Sequence, residues 1–435
     1  MHLALITAGG AGMFCGSCMH DNTLARALQA EGHEVTLIPL YTPIRVDELD
    51  VSEHRVFLGG INVYLAGRWP WWSRLPRWVR SWLDTPAVLR FVSRFAVSSD
   101  ARELGDLTIA LLRGDHGPHR EAIAELVDWL AQDLRPDCVL LSNALLAGVV
   151  PRLRQAYRGP VWSLLQGDDI FLNDLVEPFR SRAFELMQGL MPQFTGLLTH
   201  SDYYRGEMSR QLRFPPAQAR VVPLGIDFAG HEGTPRAVSQ EPFTIGYFAR
   251  ICPEKGLHNL VAAFRRLHAR HPHTRLRAAG FLGARDQGWF EQLRREAADL
   301  GDAFEYHGSP PDHAGKVAFL KGLDLFSVPT SYREPKGLSV LEALANGVPV
   351  VQPRHGAFPE LLEQTGGGLL VEPENPEALA AGLERLMLDA PLRTGLAATG
   401  WRRVREAFSM ERMARETAAV LQGEAQTPGT TLPRE

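Results

Sequence analysis

Apolar and polar positions fall along the chain in alternating blocks of two periods. Leu3 to Ile6 is a short apolar run of strand length. It leads into a turn holding Gly9, Gly10 and Gly12. Asp21 to Ala30 (DNTLARALQA) then has apolar residues at helical spacing and stops at Gly32. Val35 to Leu40 is the next strand. Strand, glycine turn, helix and strand make a βαβ unit, which requires a parallel sheet. The rhythm returns with a helix from Glu121 to Leu134 and strands at Cys138–Leu141, Val161–Leu165 and Gly196–Thr199, and Val221 and Val222 lead into PLGID. A second set starts with a strand at Phe243–Phe248 and a helix at Leu257–His271. Strands at Leu276–Ala279 and Leu325–Val328, a helix at Leu338–Asn346 and a strand at Val348–Gln352 complete it.

Between the two sets, Ala229–Glu241 (AGHEGTPRAVSQE) is polar and holds Gly and Pro, the composition of a linker. The pattern predicts an α/β protein of two doubly wound Rossmann-like domains facing a cleft. Residues 1–228 form the first and 242–423 the second, with 229–241 between them and the last helix free to pack back on the first domain. The polar, Pro- and Thr-containing residues 424–435 are expected to be a disordered tail. In open α/β sheets ligands bind at the carboxyl ends of the strands, so the chemistry is sought there.

Composition narrows the class. The 435 residues are 45% hydrophobic and 22% charged with a net charge of -4, ordinary for a globular protein and without the basic excess of a nucleic-acid binder. Four cysteines do not make a disulfide framework, so a reducing, cytoplasmic setting is expected. MHLALITAGG lacks the basic start and long apolar run of a signal peptide, and no run of eighteen apolar residues predicts a membrane-spanning helix.

Two segments carry candidate chemistry. In EPKGLSVLEALANG, Pro335 keeps Glu334 out of helical geometry and Gly337 permits close backbone approach to a ligand. The helix starting at Leu338 offers free N–H groups and a positive dipole end, which suits phosphate. Glu342 lies one turn on, about 5.4 Å, a fitting step from a diphosphate to its ribose hydroxyls. In IGYFARICPEKGL, Arg250 and Lys255 sit between a strand and a helix and supply two cations to a departing diphosphate. With both in place no metal or cofactor is expected.

Taken in order, Arg250, Lys255–Gly256, Glu334, seven residues, Glu342 and then ALANGVPVV resemble the retaining glycosyltransferases of family 4, which have the two-domain GT-B fold. ARALQAEGHEVTLI (25–38), THSDYYR (199–205) and VVPLGID (221–227) extend the resemblance over most of the chain. The resemblance implies transfer of a hexose from a nucleoside-diphosphate sugar to a hydroxyl acceptor, with retention, the leaving phosphate helping to deprotonate the acceptor. It implies that Arg250 and Lys255 bind the pyrophosphate and Glu334 contacts sugar hydroxyls. It gives backbone N–H groups of Gly337 and Leu338 to phosphate, and Glu342 to the ribose. Gly10 would let the donor phosphate or the acceptor approach the first domain. Gln166, in LLQGDDIF, stands where the family usually has a sugar-contacting histidine, and Asp168 or Asp169 can share its work.

Other features carry open alternatives. Trp69, Trp71, Trp72, Trp78 and Trp82 interleave with Arg68, Arg74, Arg77 and Arg80. With GGINVYL before it, this segment resembles the first domain of bacterial glycogen synthases. It reads as an acceptor platform through Trp71 and Trp72, as a packed lid, or as a peripheral membrane contact. Cys15 and Cys18 form a CxxC, which reads as tight loop packing, as a redox pair, or as half a zinc site; no stoichiometric zinc is expected. Asp21 and His20 are placed at the start of the first helix, Asp21 as a helix cap or an acceptor contact. His116 and His119 are read as surface residues. The rival functions are a non-catalytic carbohydrate- or nucleotide-binding protein and a sugar-nucleotide epimerase. A dehydrogenase fits poorly, because Gly9-Gly10-Ala11-Gly12 does not make GxGxxG.

Overall fold

The computed structural model describes residues 1–9, 15–53, 56–58, 101–236 and 241–423. Gly10, the Trp/Arg segment with Trp71 and Trp72, and the tail at 424–435 lie outside the described residues. The chain divides into two compact units. The first holds Met1–Pro223 and the described chain from Met413, and the second holds Leu224–Arg412.

In the first unit, Leu3, Ala4, Leu5 and Ile6 are all fully buried. A strand apolar on both faces belongs at the centre of a parallel sheet covered by helices. This is β1 (His2–Thr7), and Leu5 pairs with Leu37 on one side and Leu140 on the other. The chain continues through α1 (Gly16–Ala30), β2 (Glu34–Pro39), α2 (Ala101–Leu112), α3 (Arg120–Asp128), β3 (Cys138–Leu141) and α4 (Val150–Ala156). It then forms β4 (Val161–Leu164), α5 (Asp168–Asp174), α6 (Phe179–Leu190), β5 (Gly196–Thr199), α7 (Asp202–Leu212) and β6 (Ala219–Val221). The six parallel strands run in the order β2-β1-β3-β4-β5-β6, so the topology switches between β1 and β3. The helix expected up to Leu134 is α-helical only to Asp128; it widens into π turns over Trp129–Leu134 and ends at Arg135, whose φ is 48°.

The second unit is built from β7 (Phe243–Phe248), α8 (Leu257–Arg270), β8 (Thr274–Ala279), α9 (Gln287–Glu296), β9 (Phe304–Tyr306) and α10 (His313–Lys321). It continues through β10 (Leu325–Phe326), α11 (Leu338–Ala345), β11 (Val350–Pro353), α12 (Phe358–Thr365), β12 (Gly368–Val371), α13 (Pro376–Leu388) and α14 (Ala390–Ala407). A last helix, α15 (Met410–Leu421), carries the chain into residues that group with the first unit. Helix α8 shows why the pattern was readable: Leu257, Leu260, Val261, Phe264 and Leu267 are buried along one stripe. The parallel strand order is β12-β11-β10-β7-β8-β9, with the switch between β7 and β10. Both units are thus doubly wound α/β sheets.

The described part of the 229–241 stretch lies with the second unit. Trp401 Nε1 donates to the Gly233 carbonyl at 2.6 Å, and buried His231 meets Asn346 Nδ2 at 2.7 Å. Among the described residues, no helix is long and apolar enough to cross a membrane.

Candidate active site

The carboxyl ends of β7 and β10 are adjacent, and the loops beyond them are laced together. Ser331 N donates to the Glu254 carbonyl at 3.0 Å. Gly256, with φ 74°, starts α8 so close to the β10 loop that an added Cβ would lie 1.8 Å from the Pro329 carbonyl oxygen. Only glycine meets both demands. Lys255 closes the single turn Pro253–Lys255 just before it.

Lys255 therefore reaches Glu334. Its Nζ donates to Glu334 Oε2 at 2.8 Å, and the Tyr332 hydroxyl donates to the same oxygen at 2.8 Å. The Lys255 ammonium also lies 5.0 Å from the centre of the Tyr332 ring. Glu334 Oε1 faces the backbone N–H groups of Lys336 and Gly337 at 3.3 and 3.4 Å. Burial alone would raise the Glu334 carboxyl, but the Lys255 charge and the two side-chain hydrogen bonds outweigh it and hold the group at about 2. Burial likewise works against the Lys255 ammonium, and Glu334 more than compensates, lifting it above the ordinary lysine range. The pair is ionised throughout the neutral range.

Gly337 has φ 84° and caps α11, so the N–H of Leu338 points out of the helix start with no preceding turn to bond. Glu342, on the next turn, is buried, and its Oε1 accepts from Lys316 Nζ at 2.8 Å. Arg250 is exposed; its Nε donates to Cys252 Sγ at 3.3 Å and its carbonyl accepts from Tyr247. The second unit thus brings Arg250, Lys255, Glu334, Gly337, Leu338 and Glu342 onto loops and a helix at one sheet switch point. Tyr332 and Lys316 were not read from the sequence.

A second polar cluster occupies the strand ends of the first unit. Gln166 follows β4, and its Nε2 donates to Asp21 Oδ1 at 3.1 Å and to the Ser142 carbonyl at 2.6 Å. Asp21 Oδ2 accepts from Thr7 Oγ1 at 2.7 Å, and His20 Nδ1 is 3.2 Å from Asp21 Oδ1. The His20 and His200 rings meet edge to face, 4.5 Å apart. Thr7, Ser142 and His200 close or follow β1, β3 and β5, and strand-end position was the signal that could have found them.

Two placements correct the sequence reading. Helix α1 begins at Gly16, five residues before Asp21, so Asp21 is a fully buried member of the cluster and caps nothing. His119 is buried, not at the surface, and burial lowers it to about 4. Asp168 gives both carboxylate oxygens to backbone amides, of Ala144 at 2.6 Å and Gln166 at 2.9 Å, and so ties the β3 and β4 ends together. Burial raises Asp168 to about 6 even with those hydrogen bonds. Asp169 accepts from Tyr204 at 2.6 Å. Cys15 and Cys18 form no disulfide; the hydrogen bond between their thiols and burial push Cys18 far above its ordinary range, the opposite of an activated thiolate.

The chain is similar to known proteins in sequence and in fold. The family model described as "Glycosyl transferases group 1" matches residues 235–402, inside the second unit. A glycosyltransferase assigned by name to colanic acid biosynthesis in Escherichia coli strain K12 is 29% identical over 314 residues, 69% of this chain and 74% of that protein. The glycogen synthase of Mycobacterium tuberculosis strain H37Rv is 28% identical over 288 residues, 66% of this chain and 68% of that one. The chain spans 64% of the length of the corresponding Salmonella typhimurium colanic acid protein. Among solved structures, sucrose-phosphate synthase from Thermosynechococcus elongatus superposes with a TM-score of 0.70 at 19% identity, covering 97% of this chain and 98% of that one. Anabaena HepE in complex with UDP-glucose gives 0.65 at 15% identity, covering 97% and 99%. Residues 235–402 thus resemble the glycosyl transferases group 1 family, and the relatives that match over most of the chain carry the names of a glycosyltransferase and a glycogen synthase.

Proposed function

We propose that the chain is a retaining hexosyltransferase that moves a hexose from a nucleoside-diphosphate sugar to a hydroxyl acceptor. The observation that carries this reading is the convergence of Arg250, Lys255, Glu334 and the start of α11 at the β7–β10 switch point. Two cations and a helix start suit a diphosphate, and a buried ionised carboxylate suits sugar hydroxyls. Arg250, Lys255 and the N–H groups of Gly337 and Leu338 take the diphosphate, Glu334 the sugar and Glu342 the ribose. In the first unit, Gln166 is assigned to the sugar and Asp21 to the acceptor, with Asp168 positioning Gln166 through its backbone. Gly10 is assigned to the approach of the donor phosphate or the acceptor, and Trp71 and Trp72 to the acceptor; all three lie outside the described residues.

In the step itself the bond from the anomeric carbon to the phosphate oxygen breaks as the bond to the acceptor oxygen forms on the same face. The acceptor proton passes to the leaving phosphate. Lys255 and Arg250 stabilise the charge that develops there, so no metal is required and a chelator leaves the rate unchanged. The HepE complex makes UDP-glucose the first donor to try. In a nucleotide-release assay, Lys255→Ala and Glu342→Ala lose at least about a hundredfold in kcat/KM, about 2.7 kcal/mol; wild-type kinetics in both would sink the assignment. A binding protein without turnover is the second reading, favoured by Gln166 at the usual histidine position, and measurable donor binding with no release from any donor would select it.

A further inference from the structure

We propose that Lys316 is a positioning residue for the donor's ribose, acting through Glu342. The inference rests on the reading of Glu342 as the ribose-holding carboxylate. Lys316 is on α10, a different helix from Glu342, and the two side chains are only 2% and 7% exposed. Among the described pairs of lysine or arginine with a carboxylate, this is the most buried. Lysine is almost never buried this deeply unless it is paired.

The surroundings make the placement specific. Asp312 caps α10 by accepting from Gly315 N at 2.8 Å, which fixes the helix start one turn before Lys316. Val317 and Leu320 are buried on the same helix, so Lys316 holds a core-facing position that an apolar side chain would fill at lower desolvation cost. Its ammonium meets Glu342 Oε1 at 2.8 Å, and Glu342 Oε2 accepts no hydrogen bond among the described residues. The Glu342 backbone is fixed as well, its carbonyl accepting from Asn346 Nδ2 at 2.9 Å. A charge-assisted bond to one oxygen stops rotation of the carboxylate and leaves the other oxygen to a hydroxyl donor. A vicinal ribose diol offers such donors; a 2′-deoxyribose offers one fewer.

The test uses the full chain and measures calorimetric affinities for UDP, GDP and ADP and for their 2′-deoxy counterparts. Wild-type protein is expected to prefer one ribonucleotide over its deoxy form by about tenfold or more, the scale of a hydrogen bond to a charged group. Lys316→Met is expected to weaken the ribonucleotide about tenfold and leave the deoxy form unchanged. In turnover, KM for the sugar nucleotide rises by a similar factor while kcat falls less. Lys316→Arg keeps most of the preference. Lys316→Gln, which can still donate to Oε1 without a charge, falls between and keeps the test usable where the Met variant does not fold. A folded Met or Gln variant with the full wild-type preference overturns the role of Lys316 alone. Absence of any ribose preference in the wild-type protein overturns the Glu342 reading and this inference with it.

Discussion

Glu334 gathers four donors onto two oxygens, from Lys255, Tyr332 and two backbone amides. Tyr332→Phe removes one of them and keeps the ring beneath Lys255. It is expected to lower kcat/KM by about tenfold, the size of a hydrogen bond to a charged group; unchanged kinetics would show that the hydroxyl does not orient the carboxylate. Asp168 offers a stability test of another kind. Asparagine can accept only one of the two backbone N–H groups that Asp168 serves, so Asp168→Asn is expected to destabilise the fold by about 1–3 kcal/mol in denaturant unfolding. An unchanged midpoint would contradict the tie between the β3 and β4 ends. Glu334, Glu342, Arg250 and Lys255 could be picked out in the sequence because their spacing is set by strand–loop–helix geometry. Tyr332 and Lys316 could not, since nothing in a single sequence says that a lysine on an amphipathic helix faces inward toward a carboxylate 26 residues away.

At the scale of elements, the site depends on how three loops are held. The segment after β11 grips the Glu334 backbone: Ala357 N donates to the Glu334 carbonyl at 2.8 Å, and His355 Nε2 meets the Thr330 carbonyl at 2.9 Å. Gly356, at φ 60°, sits so near that an added Cβ would come within 2.5 Å of the Glu334 carbonyl oxygen. Gly356→Ala is therefore expected to shift Glu334 and to lower kcat by at least about tenfold while every proposed contact residue remains in place. Full activity would mean the loop does not set the carboxylate. The elements themselves were largely legible, because two-sided apolar strands and 3.6-residue helix stripes are strong periodic signals. Their edges were less so. Helix α1 starts five residues before Asp21 because CGSCMH carries no apolar stripe to announce it, and its N-cap Cys15 makes no side-chain cap. The stretch 229–236 looked like a linker by composition, yet His231 and Gly233 are bound by Asn346 and Trp401, contacts that polar composition does not reveal.

For the whole molecule, two carboxylates give opposite pH dependences. Asp168 sits at about 6 when folded, above the unfolded value of about 3.9, so the folded state binds the extra proton and gains stability as pH falls from above 6 toward 4. Glu334 sits at about 2, below the unfolded value of about 4.3, so its contribution is complete above that value and is lost as pH falls toward 2. Comparing wild type with Asp168→Asn, the wild-type protein should gain relative stability between pH 7 and pH 5; parallel curves would contradict the burial of an ionisable Asp168.

Two doubly wound units, and the gathering of Arg250, Lys255, Glu334 and Glu342 at the strand ends of the second, were readable from one sequence, because strand–loop–helix spacing fixes where such residues fall. The acceptor was not readable, since its recognition draws on side chains with no comparable spacing rule. The most direct test of sugar transfer with retention is incubation with UDP-, GDP- and ADP-hexoses and a panel of glycan, lipid-linked and small hydroxyl acceptors, reading the anomeric configuration of any product by NMR. An α-linked product from an α-linked donor, lost in Lys255→Ala and Glu342→Ala, is the predicted result. A β-linked product, or an epimerised donor formed without acceptor, would contradict it.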